Sequence, residues 1–147
     1  MTAPVTLIQI GRPTREVPTV TLTIDGHSIS VPEGTTILGA AARLGITIPT
    51  LCFLETLRPV NVCRLCVVEV EGARVLVPSC ARAVEAGMVV HTRSARVVHS
   101  RRLVLELLAS SVDLSTTPGM ADLLAEYECA PDRYGPPAPP NTHRDLA

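Results

Sequence analysis

The chain has 147 residues, 46% of them hydrophobic and 18% charged, which suits a folded domain of ordinary size with an extension. Its formal net charge of −1 gives no bulk attraction to nucleic acid or to anionic membranes. Aromatic residues make up only 2%, leaving almost no surface on which bases could stack.

Residues 1–17 read as a loose lead-in. From Thr19, Val20, Leu22 and Ile24 alternate with Thr19, Thr21 and Thr23, the period of a strand with one apolar face. Asp25-Gly26 predicts a two-residue hairpin turn, because both positions tolerate positive φ, and Ile29 and Val31 continue on the returning strand until Pro32. Thr35 or Thr36 can cap a helix carrying Ile37, Leu38, Ala41 and Leu44 on one side, with Gly45 at its C′ position and Pro49 preventing continuation. Pro49 to Arg64 has no clear period. Cys66–Glu71 and Arg74–Val77 then read as a second hairpin around Gly72, and Met88–Thr92 as a short last strand. A small mixed sheet crossed by one helix is an α+β arrangement of the β-grasp type, and two hairpins flanking a helix fit it better than a βαβ repeat.

Ser94–Ala109 predicts a longer helix with Val97, Val104 and Leu108 on one face and Leu103 and Leu107 beside them. Arg93, Arg96, Arg101 and Arg102 in its first half read as a solvated face. A further helix spans roughly Met120–Glu128, and the prolines from Pro131 onward predict an extended tail. The expected organisation is a lead-in over 1–17, a β-grasp domain over 18–93, a helical extension over 94–130 and a Pro-rich tail over 131–147. No run of about eighteen apolar residues reads as a membrane span. The N-terminal stretch lacks the basic start, apolar run and small-residue cleavage site of a secretory signal. The five cysteines are therefore expected in a reducing, cytoplasmic compartment, where structural disulfides are rare and clustered cysteines point to a metal site.

Cys52, Cys63, Cys66 and Cys80 form a C-x10-C-x2-C-x13-C array. The close pair directs two thiolates at one centre from a single turn, and the outlying two close the site from elements that the sheet brings near. Four thiolates suit either Zn²⁺ or an iron–sulfur cluster, both of which select soft ligands. Structural zinc modules usually carry two short Cys knuckles, whereas this chain has one. Three cysteines on one long loop with a distant fourth is the style of plant-type ferredoxins, although the intervals differ. Spacing thus favours a cluster and leaves zinc as the alternative. Leu51, Phe53, Leu54, Leu65, Val67 and Val68 are expected to keep water off the sulfurs, and loop N–H groups to tune their electronics. Cys129 reads as a free thiol outside the array. His27, His91, His99 and His143 have no spacing partners. No Ser-His-Asp set, paired-carboxylate motif or phosphate-cradling loop is visible, so no substrate chemistry is expected of the chain itself.

The run IPTLCFLETLRPVNVCRLCVVEVEGARVLVPSCARAVEAGMVVHT resembles the N-terminal ferredoxin-like domain of the large iron–sulfur subunit of respiratory complex I. It is equally similar to the diaphorase subunit of NAD-reducing nickel–iron hydrogenases and to the N-terminus of NAD-dependent molybdenum formate dehydrogenases. The cysteine intervals, CRLCVVEVEG and VPSCARAVEAGM carry the likeness, which extends over about Val20 to Ala109. The resemblance implies a β-grasp domain whose Cys52, Cys63, Cys66 and Cys80 hold a [2Fe–2S] cluster. It also implies a non-catalytic electron-relay subunit of a cytoplasmic complex, beside a flavin subunit that meets NAD(H) and a catalytic hydrogenase or formate dehydrogenase subunit. Two departures stand out. The family usually has Gly two residues before the second cysteine; here Asn61 stands there, and Asn reaches left-handed geometry more readily than other non-glycine residues. The family also continues with one His and three Cys for a [4Fe–4S] cluster, whereas Ala109–Leu124 contains neither residue type, so a single cluster is expected. A diffusible ferredoxin and a zinc-bound scaffold subunit are the alternatives.

Overall fold

The computed structural model describes residues 17–136 and 139. The lead-in up to Glu16, most of the Pro-rich tail and His143 lie outside the described residues.

Strands β1 (Thr19–Ile24) and β2 (His27–Pro32) form the expected antiparallel hairpin, with Val20 opposite Val31 and Ile24 opposite His27. Asp25 and Gly26 turn it at φ 46° and 82°, the double left-handed geometry that matches the twist of paired strands. The Asp25 carboxylate accepts hydrogen bonds from the Thr92 backbone N–H, at 2.8 Å, and from the Thr92 hydroxyl. Helix α1 (Ile37–Arg43) begins at Thr36, whose hydroxyl accepts from the Gly39 N–H at 3.1 Å. It stops before Gly45, which takes φ 73° and frees the chain to leave the helix.

Strands β3 (Val67–Val70), β4 (Val77–Pro78) and β5 (Val89–His91) complete a five-stranded sheet in the order β2-β1-β5-β3-β4. β5 runs parallel to β1 and every other pairing is antiparallel. Leu22, Ile24, Val31, Val68 and Val90 of the sheet pack with Ile37, Ala40 and Ala41 of α1. This is the α+β, β-grasp architecture expected above. The second hairpin is shorter than expected, its ladder pairing only Val67 with Pro78 and Val68 with Val77. Arginine side chains take over the carbonyls beyond it: Arg96 donates to the Arg74 carbonyl at 3.2 Å and Arg64 to that of Leu76 at 3.0 Å. A backbone acceptor needs a donor, not necessarily a strand.

Helix α2 (Ala95–Ser111) is capped by the Ser94 hydroxyl, which accepts from the Val97 N–H at 3.3 Å. Its buried stripe is Val97, Arg101, Leu105 and Ala109, joined by Glu106, rather than Val97, Val104 and Leu108. Leu107 is 55% exposed, whereas Arg101 is 1% exposed, so the arginines of this helix are not all a solvated face. Helix α3 (Met120–Glu126) brings Met120 and the following Tyr127 onto Leu65 and Leu105, forming a second small core. The helical extension therefore folds back onto the sheet domain where the cysteine loop enters β3. The tail begins in tight turns rather than extended, with Arg133 N–H bonded to the Ala130 carbonyl and Gly135 N–H to that of Asp132, both at 3.1 Å. Among the described residues no helix is long and apolar enough to cross a membrane.

Candidate metal centre

Between α1 and β3 the chain forms neither helix nor strand. Two non-glycine residues there take left-handed backbone geometry, Asn61 at φ 59° and Arg64 at φ 57°. Each stands two residues before a cysteine, Cys63 and Cys66. Left-handed residues alternating with ordinary ones curl the backbone so that successive N–H groups line a concavity, a common seat for anions and clusters. Asn61 thus fills its glycine-like role as expected.

The loop delivers Cys52, Cys63 and Cys66, and the turn after β4 delivers Cys80. Cys66 and Cys80 are buried with their sulfurs 3.3 Å apart. Cys52 and Cys63 are half-buried neighbours. Cys66 is fixed from both sides. The Ser79 hydroxyl donates to its carbonyl at 2.8 Å, while Arg101 donates to the neighbouring carbonyls of Leu65, at 3.0 Å, and Val67, at 2.8 Å. The Cys80 thiol donates to Asn61 Oδ1 at 3.2 Å.

The electrostatics of Cys80 and Cys63 differ. Burial pushes the Cys80 thiol up to about 12, and the neighbouring Cys66, Cys52 and Cys63 add to the rise. Burial also acts to raise Cys63, but hydrogen bonds from the backbone of Leu65, both the backbone and side chain of Cys52, and the backbone of Leu51 outweigh it. The Cys63 thiol is held below its ordinary 9.0. The loop thus favours the Cys63 thiolate, whereas burial and the neighbouring cysteines disfavour the Cys80 thiolate.

The four thiols stand as two neighbouring pairs, Cys52 beside Cys63 and Cys66 against Cys80. Among the described residues no three His, Cys, Asp or Glu side chains converge on one point as around a single ion. A tetrahedral zinc site draws all its thiolates to one centre. Two metal ions bridged by sulfide take two thiolates each, which is what two adjacent pairs offer, so the residues fit a [2Fe–2S] group.

Cys129 lies apart on the extension, its sulfur facing the Arg102 carbonyl at 4.0 Å. Burial and the nearby Glu106 push its thiol up, with Arg102 opposing. His27 and His99 are exposed, and His91 pairs with Glu71 at 3.0 Å. The apolar surround is one-sided, which corrects the expectation of a complete shield. Leu65, Val67 and Val68 are buried, but Leu51 is 40%, Leu54 61% and Val62 73% exposed. A loop with no layer packed over it leaves its apolar side chains at the surface. Sequence reasoning also missed Ser79, the Asn61 side chain and Arg101. For Arg101 a signal existed, since it stands four residues from both Val97 and Leu105 on the buried stripe.

Residues 18–95 match the family model described as "2Fe-2S iron-sulfur cluster binding domain". The NADP-reducing hydrogenase subunit HndD of Solidesulfovibrio fructosivorans is 59% identical over 96 residues, covering 62% of this chain and 16% of that protein. The mitochondrial NADH-ubiquinone oxidoreductase 78 kDa subunit of Candida albicans is 43% identical over 89 residues, covering 60% of this chain and 12% of that protein. The crystal structure of an NAD⁺-reducing [NiFe]-hydrogenase in the H2-reduced state is similar at a TM-score of 0.69 and 30% identity, over 82% of this chain and 54% of that one. This chain therefore spans only a small part of the length of these curated relatives.

Proposed function

The chain belongs to the 2Fe-2S iron–sulfur cluster binding family, and from that premise we propose that it is a one-electron relay subunit carrying a single [2Fe–2S] cluster on Cys52, Cys63, Cys66 and Cys80. The observation that carries the ligand assignment is the arrangement of these four thiols as two adjacent pairs. When bound, such a cluster takes up and releases one electron at a time. The chain's own residues do the rest. Arg101 and Ser79 hold the backbone around Cys66, the backbone of Leu65, Cys52 and Leu51 favours the Cys63 thiolate, and Leu65, Val67 and Val68 exclude water from behind.

On the loop that carries the half-buried Cys52 and Cys63, Leu51, Leu54, Leu57, Val60 and Val62 leave an exposed apolar rim. Such a rim suits docking to another subunit more than free diffusion in water. The partners we assign are a flavin- and NAD(H)-binding iron–sulfur subunit and a catalytic subunit of hydrogenase or formate dehydrogenase type, in the cytoplasm. The family likeness and the hydrogenase and oxidoreductase relatives support this class of assembly. The lack of Cys and His in Ala109–Leu124 supports a single cluster.

Native purification tests the reading. The protein is expected to be red-brown, with about two irons and two sulfides per chain, to take up one electron, and to co-elute with a flavoprotein that oxidises NAD(P)H. Stoichiometric zinc in a colourless protein overturns the redox reading. Migration as a small coloured species without partners makes it a diffusible ferredoxin instead.

A further inference from the structure

Asn61 does more than tolerate its backbone angle. Glycine would satisfy φ 59° without strain, yet this chain places a carboxamide there whose oxygen lies 3.2 Å from the sulfur of Cys80. Cys80 is 1% exposed, so water does not compete for that contact. With a protonated thiol, the sulfur donates and Oδ1 accepts. A metal-bound thiolate has no proton to give, and an amide oxygen facing it is repelled. The terminal torsion of Asn is broad and roughly two-fold, so a half-turn replaces Oδ1 with the Nδ2 amide, which has only donors.

We propose that Asn61 donates an N–H···S hydrogen bond to the Cys80 thiolate of the loaded centre and thereby raises the cluster's reduction potential. The inference rests on the reading of Cys80 as a ligand. Reduction makes the cluster one charge more negative, so a donor aimed at its sulfur stabilises the reduced state more than the oxidised one. The asymmetry is local, because the contact is to the buried Cys66–Cys80 pair.

The test is a dithionite titration of the purified full chain and of its Asn61→Gly and Asn61→Asp variants, followed by EPR and visible absorption. Asn61→Gly keeps the backbone geometry and deletes the donor. Its expected outcome is unchanged iron and sulfide content with the reduction equilibrium shifted about tenfold toward the oxidised form, about 59 mV for one electron. Asn61→Asp keeps the shape but offers an acceptor, and is expected to shift further in the same direction. A wild-type potential in Asn61→Gly means that only the backbone angle matters and overturns the proposal, while the ligand reading stands. Loss of the cluster in Asn61→Gly leaves the decision to Asn61→Asp, whose potential at or above wild type overturns the proposal. Loss in both variants makes Asn61 purely structural. A wild-type chain without a [2Fe–2S] signature overturns the ligand reading itself.

Discussion

Arg101 donates from Nε to the carbonyl of Leu65 at 3.0 Å, joining helix α2 to the loop between Cys63 and Cys66. Its Nη2 reaches the Val67 carbonyl and its Nη1 the Tyr127 hydroxyl, both at 2.8 Å, and the residue is 1% exposed. One planar fork therefore holds the residues on either side of Cys66 and the end of α3.

Arg101→Met removes all three hydrogen bonds while keeping an apolar stem. Stripping buried polar groups of a partner costs about 1–3 kcal/mol each, so a loss on the order of 3 kcal/mol is expected in urea unfolding, with faster bleaching of the cluster. Arg101→Lys is expected to recover only part of it, because an ammonium group does not reproduce the fork. A loss below about 1 kcal/mol would show that the network is incidental.

Ending the chain after Ala109 uncovers Leu65 and Leu105, each 0% exposed in the full chain, by removing Met120 and Tyr127. Exposing a buried Leu costs roughly 1.5–3 kcal/mol. The shortened chain is expected to unfold at lower urea and to lose iron to a chelator faster. Equal midpoints and equal bleaching rates would mean that the extension serves only other subunits.

Much of this was legible from short-range chemistry. Asp25-Gly26 between alternating strands, Thr36 before an apolar helix and the cysteine intervals each carry their meaning within a few residues. The missed features depend on contacts between distant segments. Arg101 looks like a surface charge until the Leu65 and Val67 carbonyls, 36 and 34 residues earlier, are brought to it. Leu51 and Leu54 look like core until no layer is found above their loop. The turn at Arg74–Leu76 replaces a strand because Arg96 and Arg64 reach its carbonyls from elsewhere. The division of the thiols into two pairs is likewise invisible in spacing alone.

Glu69 on β3 gives a pH signature. The Ser94 hydroxyl and then the Arg96 guanidinium, at 2.9 Å, hold its carboxyl below the ordinary 4.5, with His91 adding weakly. A carboxyl with a lowered folded-state pKa binds fewer protons in the folded chain than in the unfolded one. Its stabilising effect is therefore complete above pH 4.5 and disappears as pH falls through the lowered value. Thermal midpoints of wild type and Glu69→Gln are expected to differ near neutrality and to converge in acid. Curves that stay parallel down to the acid limit would remove Glu69 as the tie between β3 and the start of α2.

The ligand assignment is tested most directly by iron, inorganic sulfide and EPR in single Cys→Ser variants of all five cysteines. A serine oxygen is a poor match for iron beside sulfide, and the loop ahead of Leu65 has few apolar anchors, since Leu51, Leu54, Leu57, Val60 and Val62 are exposed. Cys52→Ser, Cys63→Ser, Cys66→Ser and Cys80→Ser are each expected to bleach or to change spectrum strongly, and to lose stability, because metal binding and local folding are linked. Cys129→Ser is expected to keep the spectrum, the iron content and the electron uptake of the wild type. A normal cluster in Cys80→Ser, together with loss of the cluster in Cys129→Ser, would contradict the four-cysteine centre.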